Sequence, residues 1–343
     1  MFVSDFDYCL PAELIAQRPL PNRDDSRMMV VRRTSAEIIH ARFKDLPEYF
    51  GAGDALVLNT TKVIPAKAWG KAGSGEVEFL FIQETRPGFW EVLCRPAKRA
   101  RLGEAIRFSP RFEARVVGVM PRGKRLLSVL SGDVLNELRK IGFAPLPPYI
   151  KRGKSAVSER SFDLERYQTV FAREEGAIAA PTAGLHFTPE SLKTIEAKGA
   201  RICPINLEVG QATFQPVEVE RVENHRMLAE RYAISRSTAR AINEARSEGC
   251  PVTAVGTTVV RALESAWQEG WIRPGTRSTE IFIYPGFRFR VVDRLLTNFH
   301  LPKSTLLMLV CAFAGRELVL KAYSEAVRER YRFFSYGDCM LIT

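Results

Sequence analysis

Short patterns that mark common enzyme classes are missing from this sequence. The six cysteines stand at positions 9, 94, 203, 250, 311 and 339, too far apart for a CxxC redox pair or a zinc knuckle. The four histidines, at positions 40, 186, 225 and 300, form no HExxH spacing. There is also no GxSxG, P-loop or kinase motif. We therefore expect no metal site, and hydrolase and phosphoryl-transfer functions lose their main support.

The sequence predicts neither a secretion signal nor a membrane span. The first residues, MFVSDFDYCLPAELIAQ, carry acidic residues where a signal peptide needs a basic start followed by an unbroken apolar run. The longest uncharged apolar run, LLMLVCAFAG from Leu306, has about half of the roughly 20 residues that a spanning helix requires. Together with the scattered cysteines, this predicts a cytoplasmic protein with no membrane partner, and LLMLVCAFAG is predicted to form a buried core helix.

The composition is that of a folded globular protein. The chain has 343 residues, of which 46% are hydrophobic and 26% charged, without a low-complexity segment or an internal repeat. This length suits two domains better than one compact core. No long exposed apolar helix face is evident, which favours a monomer.

Basic residues are concentrated in one segment. The net charge is +11, and the stretch from Arg86 to Arg125 alone holds eleven Lys or Arg against three Glu. Such a run is often only a solvated surface. Here, however, Arg dominates and alternates with aromatic residues, at positions 89, 90, 108 and 112, a mixture typical of phosphate pairing and base stacking. We therefore favour RNA as a partner, with contacts from Arg95, Lys98, Arg99 and Arg101.

The pattern of elements predicts a discontinuous main domain, residues 1–66 and 151–343, interrupted by an insert. Residues 67–150 contain short alternating runs such as EVEFLFIQE and FEARVVGVM, typical of a small β-rich domain. Residues 155–343 alternate helices with strands, including the strand RICPINLEV and the helix STARAINEARSEG. A further helix, AELIAQ, is predicted after Pro11. The fold class is therefore mixed α+β with a smaller, mainly β inserted domain.

One loop of the main domain places a histidine among small residues. In AAPTAGLHFT, residues 179–188, Thr182 offers a donor and Gly184 offers close backbone access beside His186. A lone histidine between Leu185 and Phe187 can equally be a core residue. Both interpretations of His186 remain open on this stretch alone.

Two further loops and the final segment carry polar residues at element ends. In VTAVGTTVVRALES, Gly256, Thr257 and Thr258 open a helix whose free amides attract anions, while Arg261 either contacts a ligand or pairs with Glu264. The other two stretches are LLTNFHLPKSTLL and FFSYGDCML. They supply further candidate binding or catalytic residues, which are Asn298, His300, Lys303, Ser335, Tyr336 and Asp338.

Together these stretches resemble a known family. The runs DFDYCLPAELIAQRPLPNRDDSR, VLNTTKVIPAK, APTAGLHFT, AVGTTVVRALES, IFIYPGF, LLTNFHLPKSTLLMLVCAFAG and YRFFSYGDCMLI resemble, in the same order, the S-adenosylmethionine:tRNA ribosyltransferase-isomerases of queuosine biosynthesis. The resemblance implies a barrel-like β core with flanking helices and a smaller inserted domain.

The resemblance also implies a reaction. The ribosyl part of S-adenosylmethionine, a consumed co-substrate and not a cofactor, is transferred to the aminomethyl group of 7-aminomethyl-7-deazaguanine at the wobble position of a tRNA. Epoxyqueuosine-tRNA forms, and adenine and methionine leave. Because this route begins with proton removal beside a sulfonium, His186 and His300 are the candidate proton carriers. Asp338 or Glu208 is expected to orient or neutralise a cationic ligand.

The chain departs from the family pattern at two places. It reads LEVGQATF where many members read LHVGxGTF, so that Glu208 replaces a histidine and Ala212 a glycine. It also reads HRMLAE where they read HxMHxE, with Leu228 at the second histidine position. We expect both replaced histidines to be dispensable, which shifts the weight towards His186 and His300.

Overall fold

The computed structural model describes residues 1–73, 75–152, 156–208 and 217–343. Its strands within these ranges are β1 Arg27–Arg32, β2 Glu37–Arg42, β3 Ala55–Asn59, β4 Thr61–Val63, β5 Lys67–Ala72, β6 Gly75–Arg86, β7 Phe89–Arg95, β8 Ala105–Ser109, β9 Phe112–Val119, β10 Lys124–Ser131, β11 Glu174–Ala177, β12 Arg201–Leu207, β13 Glu230–Ile234, β14 Val252–Val255, β15 Trp267–Gln268, β16 Trp271–Ile272, β17 Gly275–Thr279, β18 Arg294–Asn298 and β19 Cys339–Ile342. Its α-helices are α1 Val134–Ile141, α2 Arg160–Arg166, α3 Pro189–Ala197, α4 Arg236–Ser247, α5 Thr257–Ala266, α6 Thr305–Ala314 and α7 Arg316–Arg328.

The main part of the molecule is built on a nine-stranded sheet, as far as the described residues extend. Its strand order is β17-β13-β12-β3-β14-β18-β19-β1-β2. The neighbours β12, β3, β14 and β18 are parallel, whereas β19 runs antiparallel to β18 and parallel to β1. The carboxyl ends of four central strands therefore lie at the same edge as the start of β19 and the start of β1.

The central strands are buried on both faces, which explains their almost unbroken apolar sequences. In β3, Ala55 and Val57 face one core, which includes residues of α4 to α7, while Leu56 and Leu58 face a second core with Phe187. Each strand thus contributes alternate side chains to two hydrophobic cores. The sheet is therefore packed between two hydrophobic cores, so polar groups are left to the loops at its edges.

The inserted segment forms a closed barrel of six described strands. Its strand order is β10-β7-β6-β5-β8-β9. Alternate residues of β6, Val77, Phe79 and Phe81, are buried in the barrel interior, as the period of two predicts. The predicted mixed α and β class with a β barrel is confirmed.

The structure differs from expectation in the position of the barrel. The closed barrel is formed by the strands of the insert, whereas the main part has the nine-stranded sheet, whose end strands β17 and β2 do not pair with each other. Parallel strands that are buried on both faces need helices on each side, and that arrangement suits an open sheet. The domain boundaries at residues 66 and 151 stay a prediction.

The element predictions are otherwise mostly confirmed, with one local correction. The strand RICPINL and the helix RSTARAINEARS are β12 and α4, and the predicted buried helix is α6. The predicted helix after Pro11 is wrong, because only a 3₁₀ turn, Ala12–Leu14, forms there. Ile15 instead bridges to Phe333, so that tertiary pairing replaces the second helical turn. No helix in the described part of the chain is long and apolar enough to span a membrane.

Candidate active site

The predicted polar loops meet because of the strand order. Gly256 follows β14 and Asn298 ends β18, two neighbouring parallel strands. Asn298 lies opposite Cys339 at the start of β19, and Cys339 lies opposite Met28 near the start of β1. Crevices at the carboxyl ends of parallel strands are the usual binding places of open α/β sheets.

A cavity of about 350 Å³ opens at this edge, in the size range of small-molecule sites. Its walls bring together eight of the residues predicted from the sequence, which are Thr182, Gly256, Thr257, Thr258, Asn298, His300, Lys303 and Ser335. Ser304, from the loop before α6, also lines it. All four stretches selected in the sequence thus contribute to this cavity, and the fourth, FFSYGDCML, contributes Phe334 and Ser335.

Two helices begin at the cavity wall. Gly256 has a φ of +93° and precedes α5, whose first turn has no side-chain cap. Ser304 precedes α6 and accepts a hydrogen bond from the Leu307 amide at 3.2 Å. Because the first amides of a helix have no intrahelical partner, the uncapped start of α5 in particular presents a positive end to the cavity.

His300 has a free ring nitrogen at the cavity. Its Nε2 lies 2.8 Å from the hydroxyl of Thr297, and its backbone amide donates to the hydroxyl of Tyr323 at 3.0 Å. Its Nδ1 has no hydrogen-bond partner among the described residues. Burial lowers the pKa of His300 from 6.5 to about 3, so the ring is neutral at physiological pH.

Both ring nitrogens of His186 are already engaged. The amide nitrogen of Asn298 can only donate, so the Nε2 of His186 accepts at 3.1 Å, and Nδ1 donates to the hydroxyl of Ser26 at 2.8 Å. The ring stacks on Phe43, with the two centroids 5.3 Å apart. Burial, with smaller contributions from Arg23 and Arg332, lowers its pKa to about 3. His186 is absent from the wall of the large cavity and forms a link between Ser26 and Asn298.

Asp338 is held by backbone amides. Its two oxygens accept from the amides of Arg27 and Arg332, at 2.9 and 2.8 Å, and Arg27 also forms an ion pair with it. The side chain is almost fully buried and does not line the large cavity. These bonds tie the start of β19 to the start of β1, so the structure gives Asp338 a positioning role.

Arg261 and Glu264 do not pair with each other, which corrects that sequence interpretation. Arg261 forms a buried ion pair with Glu230, and its Nε donates to the carbonyl of Ile281 at 3.0 Å. Glu264 accepts backbone amides of residues 290–292 instead. A spacing of three residues on a helix would allow Arg261 and Glu264 to pair, but each side chain binds a partner on another segment instead. Arg261 is outside the cavity wall.

Three further predicted binding residues lie away from the cavity. Gly184 packs closely, since a Cβ there would stand 2.6 Å from the ring of Phe171, so its small size serves packing. Glu208 is exposed, with an oxygen 3.7 Å from a guanidinium nitrogen of Arg231. Tyr336 is buried beside a second, smaller pocket that also includes His186. Ala212 lies outside the described residues.

The basic residues of the insert are on the barrel surface, but its aromatic residues mostly are not. Arg95, Lys98, Arg99 and Arg101 are all exposed. Trp90 and Phe112 are buried in the barrel, and Phe108 stacks on Phe112 with centroids 4.6 Å apart. The expectation that these aromatic rings stack on RNA bases is therefore wrong for Trp90 and Phe112, because alternate strand residues point inward, and it stays a prediction for the half-buried Phe108. Phe89 is half-buried, with the guanidinium of Arg86 over its ring.

Sequence reasoning missed several residues of the site. Ser26 and Thr297 orient the two histidines, and Tyr149 lines the cavity. Ser26 and His186 are 160 positions apart, so no local pattern could have paired them. In the described ranges, no group of three or more His, Cys, Asp and Glu residues is arranged to hold a metal ion.

Comparison with known proteins gives a consistent result over the full length. The family model described as queuosine biosynthesis protein matches residues 3–342. The chain is 51% identical over 347 residues to an S-adenosylmethionine:tRNA ribosyltransferase-isomerase of Pelotomaculum thermopropionicum, with all of both chains covered. It is also 51% identical over 348 residues to the protein of that name from Moorella thermoacetica, again over all of both chains.

A solved structure is similar as well. It is the crystal structure of an S-adenosylmethionine tRNA ribosyltransferase from Thermotoga maritima, 36% identical, with a TM-score of 0.56. The match covers 99% of this chain and all of that one. The predicted resemblance is confirmed, and this chain belongs to the queuosine biosynthesis protein family of S-adenosylmethionine:tRNA ribosyltransferase-isomerases.

Proposed function

We propose that this protein transfers and isomerises the ribosyl part of S-adenosylmethionine onto 7-aminomethyl-7-deazaguanine at the wobble position of a tRNA. The products are epoxyqueuosine-tRNA, adenine and methionine. The observation that carries the proposal is the cavity of about 350 Å³ at the strand ends, in a chain of this family, with the imidazole of His300 in its wall.

His300 is the proton acceptor in this proposal. A sulfonium centre acidifies the neighbouring sugar carbon, and a neutral imidazole with an unpartnered Nδ1 can accept the proton released there. The Thr297 hydroxyl beside Nε2 supports the tautomer in which Nδ1 is the acceptor. His186 has no ring nitrogen to offer, so it is assigned to holding Asn298 at the cavity wall.

The two ends of S-adenosylmethionine fit different walls. The first turn of α5, with Thr257 and Thr258, suits the carboxylate of the methionine part because its amides are uncapped. The rings of Tyr149 and Phe334, whose centroids are 4.8 Å apart, offer an aromatic surface to a purine-like base. The hydroxyl of Tyr149 lies 2.7 Å from that of Ser335.

The tRNA is proposed to contact the insert through its exposed cations. Lys98 and Arg99 lie on a 3₁₀ turn, Ala97–Arg99, between Arg95 and Arg101. An anticodon loop presents closely spaced phosphates and bases that can leave the stack, so the modified base can reach the cavity while the backbone stays on the protein surface. We also propose that the protein acts in the cytoplasm as a monomer and uses no cofactor.

Product identity tests the proposal. The protein is incubated with S-adenosylmethionine and tRNA that carries 7-aminomethyl-7-deazaguanine, and small molecules are followed by chromatography. Free adenine and methionine in equal amounts support ribosyl transfer. S-adenosylhomocysteine would instead indicate a methyltransferase, and binding of tRNA without turnover would indicate a non-catalytic RNA-binding protein. Either result contradicts the proposal.

A further inference from the structure

A second, smaller pocket lies beside the large cavity, and Ser335 lines both of them. Its volume is about 20 Å³, room for one water-sized group. Exposed Asn22 is at its rim, while Ser26, His186 and Tyr336 are buried in its wall. A nucleobase cannot enter this pocket, but a single oxygen of a larger group outside it can.

Two guanidinium groups line the pocket, and neither has an acidic partner within 4 Å in the described ranges. Arg23 donates to the backbone carbonyls of Leu185 and Glu165, both at 3.1 Å. Arg166 donates to the carbonyls of Pro21 and Leu20, at 3.1 and 2.7 Å. The pKa of Arg23 is lowered, chiefly by burial and next by the positive charge of Arg166. Glu165 partly offsets this effect, but it forms no ion pair with Arg23 in the described residues, so the two neighbouring cations favour an anion.

Two buried polar atoms of the lining residues have no partner in the described structure. They are the Nε of Arg166 and the hydroxyl of Tyr336, whose side chain is only 4% exposed. Leaving a buried donor unpaired is unfavourable, and such atoms are uncommon in native proteins. An anionic oxygen in the pocket would offset the two positive charges and is a suitable acceptor for either donor.

We propose that this pocket is a phosphate site that takes one non-bridging oxygen of an RNA phosphodiester next to the nucleotide whose base enters the large cavity. This rests on the proposed function and assigns a part of its RNA substrate. Guanidinium groups are the usual partners of phosphate oxygens. Ser335, which is common to both pockets, lets a base and its neighbouring phosphate be held at adjacent positions.

Tyr336→Phe is the most selective test, because it removes an unpartnered hydroxyl and keeps the ring that packs against Tyr167. We expect the Kd for tRNA to rise about five- to tenfold, as for loss of one charge-assisted hydrogen bond. The Kd for S-adenosylmethionine should not change, and the melting temperature should stay equal or rise. A purely structural hydroxyl would leave the tRNA affinity unchanged, and that result overturns the proposal.

Charge is tested separately with Arg166→Gln. The slope of log Kd for tRNA against log salt should become shallower by about 0.7, as expected when one contact to a single-stranded phosphate is lost. Arg236→Gln, an exposed residue at the start of α4, is the matched control and should leave both Kd and slope nearly unchanged. Equal slopes for wild type and Arg166→Gln count against the proposal.

A single methylphosphonate linkage locates the phosphate. Each linkage around the wobble nucleotide is replaced in turn, and binding to wild type and Tyr336→Phe is measured without turnover. One linkage should weaken wild-type binding and have little further effect on the variant. A uniform effect at all linkages overturns the proposal, as does a change confined to S-adenosylmethionine affinity, which would indicate a carboxylate site. Adenine release by the wild type reports on the proposed function independently.

Discussion

At the scale of single residues, the two buried histidines have different roles because of their partners. His186 is linked at both nitrogens, to Ser26 and Asn298, whereas His300 is linked only at Nε2. The sequence could select both rings as unusual but could not separate them. The partner of His300 is three positions away, and the partners of His186 are 160 and 112 positions away.

Protonation of these histidines predicts how stability depends on pH. Both have a pKa lowered from 6.5 to about 3 in the folded protein, mainly by burial. Between pH 3 and pH 6.5 the unfolded chain therefore binds more protons than the folded protein does. The stability is retained above pH 6.5 and is lost as the pH falls towards 3. Each histidine contributes a slope of up to about 1.4 kcal/mol per pH unit in this window.

His186→Gln tests that prediction. The variant lacks one of the two histidines whose pKa is lowered. Its free energy of unfolding, measured by urea denaturation, should therefore fall less steeply than that of wild type between pH 6 and 4, by a large part of the slope that one histidine contributes. His40→Gln, on strand β2, is the control variant for replacing a histidine whose ring is about half exposed. A His186→Gln profile parallel to that of wild type would count against the buried neutral ring.

At the scale of elements, the start of α5 depends on a backbone that only glycine adopts easily. Gly256 has a φ of +93°, yet the nearest heavy atoms to an added Cβ, which are the Cβ of Ala183 and the Oγ1 of Thr258, lie 3.8 Å away. Gly256→Ala therefore strains the backbone without a clash, and it should cost about 1 kcal/mol or more of stability. Because the first turn must shift to relieve the strain, affinity for S-adenosylmethionine should fall at least several-fold.

Gly315→Ala separates strain from binding. Gly315 lies between α6 and α7 with a φ of +84° and open space around it. This variant should lose similar stability in thermal unfolding but keep its affinity for S-adenosylmethionine in calorimetry. If both variants bound the ligand equally well, the start of α5 would not be part of the binding site.

The turn that carries Lys98 and Arg99 is held by a buried arginine. Arg125 donates to the carbonyls of Ala97 and Ala100, at 2.8 and 2.7 Å. Arg125→Met should free this turn and weaken tRNA binding several-fold in filter-binding assays, while the barrel keeps its circular dichroism. Arg236→Met is the control for loss of charge. Unchanged tRNA affinity in Arg125→Met would show that the turn is not an ordered RNA contact.

The regular elements were predictable where local patterns agree with tertiary packing. Thr188 before Pro189 is a sequence typical of a helix start, and α3 does begin there, where the Thr188 hydroxyl accepts the Ser191 amide at 3.1 Å. The helix predicted after Pro11 failed because Ile15 pairs with Phe333, a contact across most of the chain. Local propensity could not anticipate that bridge.

At the scale of the whole molecule, the site exists because the sheet brings distant strand ends together. The stretches that contain Thr182, Gly256, Asn298 and Ser335 could be picked out from their residue types alone, and all four line the cavity. The sequence could not reveal that β19 returns antiparallel beside β18, which places Ser335 opposite the loop after β14. It also could not reveal that Asp338 and Arg261 find structural partners, since those partners come from other segments.

The charge of the insert predicts the salt dependence of RNA binding. A variant that combines Lys98→Gln, Arg99→Gln and Arg101→Gln removes three exposed cations that are neighbours in the sequence of the insert. Its affinity for tRNA should fall at least tenfold at low salt, and its salt slope should become shallower by about 2, because counterion release scales with phosphates neutralised. Filter binding over a salt series measures both. An unchanged slope would mean that the basic run is only a solvated surface.

The single-turnover rate of adenine release from His300→Gln, with S-adenosylmethionine and tRNA both bound, tests the central claim most directly. If His300 takes the proton beside the sulfonium, the rate should fall by about 10²–10⁴-fold with little change in either affinity, as for loss of a general base. His186→Gln should lose far less of this rate. A His300→Gln protein that released adenine at the wild-type rate would contradict the account.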